Sequence, residues 1–171
     1  MKLRVLSVSV VSSYKNSIME TLKKQGRYTR MQVQLVGLLT KTNDPIARMA
    51  TISAILYHKM DYFFWCGFYR VQGEKLIVGP YQGPAACQVL EGRGVCLSAM
   101  QRGETVIVPD VEKFPGHIAC DSRSKSEIVI PVRDSTGQVI AVLDIDSKEI
   151  DSFDDIDRAY LEKIVEQVFT S

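Results

Sequence analysis

The sequence predicts an α+β fold in one domain, with an antiparallel sheet. Three observations carry this. Helix-like segments come first, about six short strands follow, most of them linked as hairpins, and a helix closes the chain; that order does not suit an alternating parallel architecture. The middle of the chain is rich in aromatic and β-branched runs punctuated by turn residues. Its 171 residues suit one domain, which at this size buries roughly two-thirds of the surface its unfolded chain exposes.

The elements follow in order. The opening "MKLRVLSVSVVSS" has two early basic residues and a short apolar stretch broken by serines, with no small-residue cleavage pattern after it. It reads as an extension or a strand, so residues 1–16 are expected as an N-terminal extension and 17–171 as the domain. In "MQVQLVGLL", Met31, Leu35, Leu38 and Leu39 share a helical face. "NDPIARMATISAILYHKM" places Asp44 as N-cap and Pro45 in the first turn. Ile46, Met49, Ala50 and Ser53 form its stripe, widened by Ile52, Ile55 and Leu56.

"YFFWCGFYRV" and "KLIVGPYQG" predict a first hairpin, and "EGRGVCLSAMQRG" a short helix from about Gly94 to Gly103. "TVIVPD" is a further strand. "SEIVIPV" and "QVIAVLDID", separated by "RDSTG", predict a second hairpin. In "SFDDIDRAYLEKIVEQVF", Ser152 and Asp155 have capping-box spacing, and Ile156, Tyr160, Ile164 and Val168 form the apolar stripe.

The formal net charge of +1 argues against nucleic acid as a partner, because no face is obliged to neutralise phosphates. No apolar run approaches the ~18–20 residues that span a bilayer. A cytoplasmic protein is expected. In a reducing compartment the four cysteines Cys66, Cys87, Cys96 and Cys120 are no sign of structural disulfides, which leaves thiol chemistry, metal binding or burial.

Cys87, Cys96 and Cys120 fall in predicted loops or at a helix start, whereas Cys66 sits inside a strand. Cys96 begins the short helix, and Cys120 has His117, Arg123 and Lys125 close in sequence; helix N-termini and cations both favour the thiolate. The competing reading makes these thiols small apolar side chains under loops. Cys87, Cys96, His117 and Cys120 also form a conceivable tetrahedral metal set, but no C-x-x-C pair supports it.

Asp144 and Asp146 stand two apart on one strand and so share a face; Glu127 interrupts another apolar strand. Two neighbouring carboxylates in a poorly solvated place raise the pKa of one, which can then hold and donate a proton; the competing reading is a strand end emerging into solvent or an N-cap. In "FFWCGFY", Trp65, Gly67 and Tyr69 share a face with glycine between the rings, a slot suited to a methyl group on sulfur. "GRGV" offers backbone N–H groups to an anion but matches no phosphate loop.

"FFWCGFYRV", "VGPYQGPAAC", "GRGVC", "ETVIVPDVEKFPGHIACDSRSKSEIVIPV", "GQVIAVLDIDS" and "FDDIDRAYLEKI" occur in the order seen in free methionine-(R)-sulfoxide reductases, and the chain from about residue 17 onward resembles that family of stand-alone GAF-domain enzymes. The resemblance implies a GAF-like fold, a six-stranded antiparallel sheet with flanking helices. It implies thiol-dependent reduction of free L-methionine-(R)-sulfoxide, not of the peptide-bound residue, through a cysteine sulfenic acid and an intramolecular disulfide. Carried onto matching positions, it makes Cys120 the nucleophile, Cys87 the resolving thiol and Cys96 a third redox thiol. Glu127, Asp144 and Asp146 become candidate acids, and Trp65 and Tyr69 the enclosure for the S-methyl end. Ile118 and Ala119 would present backbone N–H groups to the substrate carboxylate. Cys66 is expected as inert packing. A thioredoxin-like reductant and a homodimer complete the expected partners; no cofactor, metal, nucleic acid or membrane is expected. The alternative is a GAF module that senses a small ligand or nucleotide without turnover.

Overall fold

A computed structural model describes residues 8–117 and 120–169. Two helices open the chain, α1 (Val8–Leu39) and α2 (Pro45–Lys59). The strands β1 (Trp65–Gln72), β2 (Lys75–Gln82) and β3 (Val89–Leu90) follow. Next come α3 (Val95–Arg102) and β4 (Val106–Val108), then the hairpin β5 (Ser126–Arg133) and β6 (Val139–Ser147), and finally α4 (Asp155–Val165). The six strands form one antiparallel sheet in the order β3-β2-β1-β6-β5-β4. The first and last hairpins thus meet along β1 and β6 at its centre.

Period-two alternation sorts the central strands onto two faces. Cys66 and Phe68 of β1, Ile128 and Ile130 of β5, and Leu143 and Ile145 of β6 pack with α1, α2 and α4 residues such as Leu35, Leu56 and Leu161. Trp65, Tyr69, Val129 and Val142 face the other way, against Val95, Leu97 and Val111. Glu127, Asp144 and Asp146 share the parity of this second face. The helices therefore stabilise one side of the sheet and leave the chemistry to the other.

Helix ends are specified locally. The Asp44 carboxylate accepts from the Ala47 N–H at 2.8 Å, with Pro45 in the first turn, as the sequence predicts. Gly103 ends α3 in the left-handed region at φ 65°, where glycine meets no steric penalty. The capping box of α4 uses Asp154 and Asp157, not Ser152 and Asp155. Both pairs have the required spacing; Asp157 holds the inner position because it is fully buried and anchors three elements. It accepts from the Asp154 N–H at 2.9 Å, from the Tyr28 hydroxyl at 2.7 Å and from the Tyr62 hydroxyl, and it pairs with Lys24. Ser152 instead donates to Glu149 O at 3.0 Å and bonds Ser147 Oγ at 2.8 Å. Burial raises the Tyr28 and Tyr62 phenols, so both stay protonated as donors.

Removing Asp157 strands the Tyr28 and Tyr62 hydroxyls and leaves the partly buried Lys24 with Asp154 as its acidic partner. Asp157→Ala is expected to lower stability by about 3–5 kcal/mol, measured by urea unfolding, whereas Lys15→Ala on the exposed part of α1 should change it by less than about 0.5 kcal/mol.

Other boundaries differ from the sequence expectation. Residues 8–16, expected as an extension or strand, are the first turns of α1: extending an existing helix adds one hydrogen bond per residue fixed, without a new nucleus. Residues 1–7 lie outside the described residues. Leu38, Ile46 and Ala50 are exposed, and the buried side of α2 is Met49, Ile52, Ser53 and Leu56. Helical periodicity finds the stripe but not which edge of it the neighbouring sheet covers.

Candidate active site

The sheet face opposite α1, α2 and α4 carries a cavity of about 210 Å³. β1, β5 and β6 form its floor, the start of α3 one wall, and the segments around Cys87 and Cys120 its mouth.

Trp65 and Tyr69 line the β1 side with centroids 5.7 Å apart and planes at 26°. Each is oriented by its polar end: the indole N–H donates to Pro84 O at 3.1 Å and the Tyr69 hydroxyl to Cys87 O at 3.1 Å. Gly67 is not the open slot that the sequence suggests. A Cβ there would lie 2.6 Å from the Trp65 ring and 2.2 Å from Tyr81 Cβ. The glycine lets the indole fold across its own strand and stack on Tyr81 at 5.3 Å.

Asp144 and Asp146 share a face, as strand parity predicts, and Glu127 meets them from β5. Glu127 pairs with Asp146 across β5 and β6, and Asp144 with Gly67 across β1 and β6. Glu127 is 5% and Asp144 6% exposed. The Cys96 thiol donates to Glu127 Oε1 at 3.7 Å, and Cys96 Sγ, a Glu127 oxygen and an Asp144 oxygen all lie within 4.8 Å of one another.

Burial, reinforced by Asp144 and Asp146, raises the Glu127 carboxyl well above its ordinary range. Asp146 is raised by burial and by the charge of Asp144. Asp144 is pushed by burial only to about 6, because hydrogen bonds from Cys96 and Glu127 favour its anion. The crowding therefore keeps part of the trio protonated near neutral pH, with Asp144 the least raised member.

The thiols divide into three environments. Cys87 and Cys120 are joined by a disulfide with Cα atoms 5.6 Å apart. Cys96 is free, buried in the cavity wall and beside the carboxylates. It is not the accessible thiol expected from its helix start: burial, and after it the charge of Asp144, raises its pKa, outweighing the helix terminus. Cys66 is buried on the helix side of the sheet, its thiol likewise raised by burial. The conceivable metal set of Cys87, Cys96, His117 and Cys120 loses two ligands to the disulfide.

Ile118 and Ala119, expected to present N–H groups to the substrate, lie outside the described residues. His117 is a site residue that the sequence flagged as a neighbour of Cys120 and as a member of the conceivable metal set. Its Nδ1 stands 4.0 Å from Glu127 Oε2, and its Nε2 is buried without a hydrogen-bond partner among the described residues. Burial lowers its pKa, so the ring is neutral. The signal was present in "GHIAC", where a histidine three residues before a candidate thiol leads into the strand bearing Glu127.

The GAF domain profile matches residues 50–169. Among curated relatives, GAF domain-containing protein A of Dictyostelium discoideum is 51% identical over 144 residues, covering 83% of this chain and 90% of that one. Free methionine-R-sulfoxide reductase of Saccharomyces cerevisiae is 37% identical over 155 residues, covering 86% of each. Among solved structures, free methionine-R-sulfoxide reductase from Neisseria meningitidis in complex with its substrate superposes with a TM-score of 0.81 at 38% identity, covering 85% of this chain and 87% of that one.

Proposed function

The chain belongs to the GAF-domain family of free methionine-R-sulfoxide reductases, and from that membership we propose that it reduces free L-methionine-(R)-sulfoxide to L-methionine with electrons from its own thiols. The observation that carries the reading is the Cys87–Cys120 disulfide at the mouth of a cavity lined by Trp65, Tyr69 and three crowded carboxyls. That combination holds a nucleophile, an electron reservoir, an apolar seat for the methylsulfur end and a proton source.

In this reading the reduced Cys120 thiolate attacks the sulfoxide sulfur. The neutral Glu127 carboxyl is the donor to the departing oxygen, since burial keeps its proton at neutral pH. The oxygen passes to the Cys120 sulfur as the substrate's S–O bond and the transient sulfur–sulfur bond break, so methionine leaves as the thioether and Cys120 is left as a sulfenic acid. The sulfoxide sulfur gains two electrons and Cys120 loses them. The Cys87 thiol then displaces that oxygen as water, forming the Cys87–Cys120 disulfide. A thioredoxin-like dithiol returns both cysteines to thiols by exchange and becomes a disulfide itself.

Trp65 and Tyr69 enclose the S-methyl group. Asp144, ionised at neutral pH, receives the substrate ammonium through Oδ1, which is buried and without a hydrogen-bond partner among the described residues. The backbone N–H groups of Ile118 and Ala119 are assigned the substrate carboxylate. Cys96 serves as a reserve thiol, its proton held by the buried setting until a carboxylate takes it.

The test is methionine release from each epimer of free methionine sulfoxide, with a dithiol reductant present. Turnover of the R form alone supports the proposal. No turnover of either epimer by folded, reduced protein would instead mean a GAF module that binds a small ligand without chemistry.

A further inference from the structure

Cys96, Glu127 and Asp144 come from three elements, α3, β5 and β6, and are more than nine-tenths buried. Their donor atoms lie within 4.8 Å of one another. The 3.7 Å from Cys96 Sγ to Glu127 Oε1 is close to the ~3.5 Å edge of a tetrahedron drawn with ordinary zinc–sulfur and zinc–oxygen bond lengths. His117 stands beside this triad without belonging to it, its Nδ1 4.0 Å from Glu127 Oε2. A second observation points to a ligand here: Asp144, 6% exposed, faces the cavity with its Oδ1 buried and unpartnered among the described residues.

We infer that this cluster is a site for a borderline-soft divalent cation, zinc above all, which inhibits the protein by occupying the reaction cavity. The donor set of one thiolate and two carboxylates suits zinc better than magnesium or calcium, which take oxygen ligands. It differs from the set that the sequence suggested, because Cys87 and Cys120 are not needed; the site exists with the disulfide closed.

Two consequences follow from the ligands. Binding displaces the protons of Cys96 and Glu127, so affinity rises with pH. Occupancy also removes the Glu127 proton and covers Asp144, so inhibition is competitive with methionine sulfoxide. The inhibition rests on the proposed reductase activity; the binding does not.

The test uses full-length protein with the Cys87–Cys120 disulfide intact, so that Cys96 is the only cavity thiol. Titration with cobalt(II) as a spectroscopic substitute should give one equivalent of binding with a near-ultraviolet sulfur-to-metal band, displaced by zinc. Cys96→Ser should abolish that band and weaken zinc binding at least as much as loss of an outer-shell partner would, about 10–100-fold. Asp144→Asn, nearly isosteric, should weaken binding while keeping the sulfur band. Thermal melts verify that both variants fold. Absence of a sulfur band in wild-type protein, or equal zinc affinity in wild type and folded Cys96→Ser, would overturn the inference. Either result would leave the reductase proposal standing, since turnover is measured separately in chelator-treated buffer.

Discussion

Cys120→Ser is expected to release no methionine, even in a single turnover with fully reduced protein, a loss of at least about 1,000-fold. The reason is chemical. A serine hydroxyl stays protonated at neutral pH, is a poor nucleophile towards sulfur and cannot enter a disulfide, whereas a thiolate does both. The comparison that isolates this role is Cys87→Ser. It keeps Cys120 and should give one methionine per protein, then stop with Cys120 as a sulfenic acid when thioredoxin is the sole reductant. A normal burst from Cys120→Ser would remove it from the chemistry. Sustained thioredoxin-driven turnover by Cys87→Ser would transfer the resolving role to Cys96.

Glu127→Gln should lower the rate of methionine release by about 100- to 10,000-fold, the usual range for loss of a positioned acid. Glutamine keeps the shape and the contact with Cys96 but has no proton to give. The pH profile tests the same assignment. Burial and the neighbouring carboxylates raise the Glu127 pKa, so the active protonated form persists below that value, and activity falls as pH rises through it. The glutamine variant should lose that basic limb.

In Glu127→Gln, stability should move the opposite way from activity. Above the pKa of the unfolded chain, the unfolded state has released the Glu127 proton while the folded state retains it. Stability therefore falls as pH increases towards the folded pKa, by up to about 1.4 kcal/mol per unit. Glu127→Gln removes that dependence and should be more stable than wild type at neutral pH, as expected where a strained site serves activity. A variant both inactive and less stable would mark Glu127 as a packing residue.

Period-two alternation explains why much of the site was legible in the sequence. Trp65, Tyr69, Glu127, Asp144 and Asp146 each sit on short strands where residue parity decides the face, so their convergence follows once the β1–β6 and β5–β6 pairings exist. The short helix from Gly94 to Gly103 was equally readable, because both ends are glycines at positive φ.

What the sequence hid depends on contacts distant along the chain. The Cys87–Cys120 disulfide spans 33 residues and joins two loops. The sequence reading marked Cys96 as a reactive helix-start thiol, but packing against β5 and β6 buries it beside carboxylates and reverses the direction of its pKa shift. Gly67 looked like an opening between rings because a one-strand pattern does not show Tyr81 on the neighbouring strand. The cap of α4 moved by two residues because Tyr28, Tyr62 and Lys24, all far away in sequence, select Asp157.

The most direct test of the account is a single-turnover experiment on reduced protein. One equivalent of free methionine-R-sulfoxide is added without reductant, methionine is counted, and the remaining thiols are alkylated under denaturing conditions for peptide mapping. One methionine per protein, a Cys87–Cys120 crosslink, and alkylated Cys66 and Cys96 are expected. Methionine formed together with a Cys96 crosslink, or with Cys87 and Cys120 both alkylated, would contradict the proposed cysteine roles.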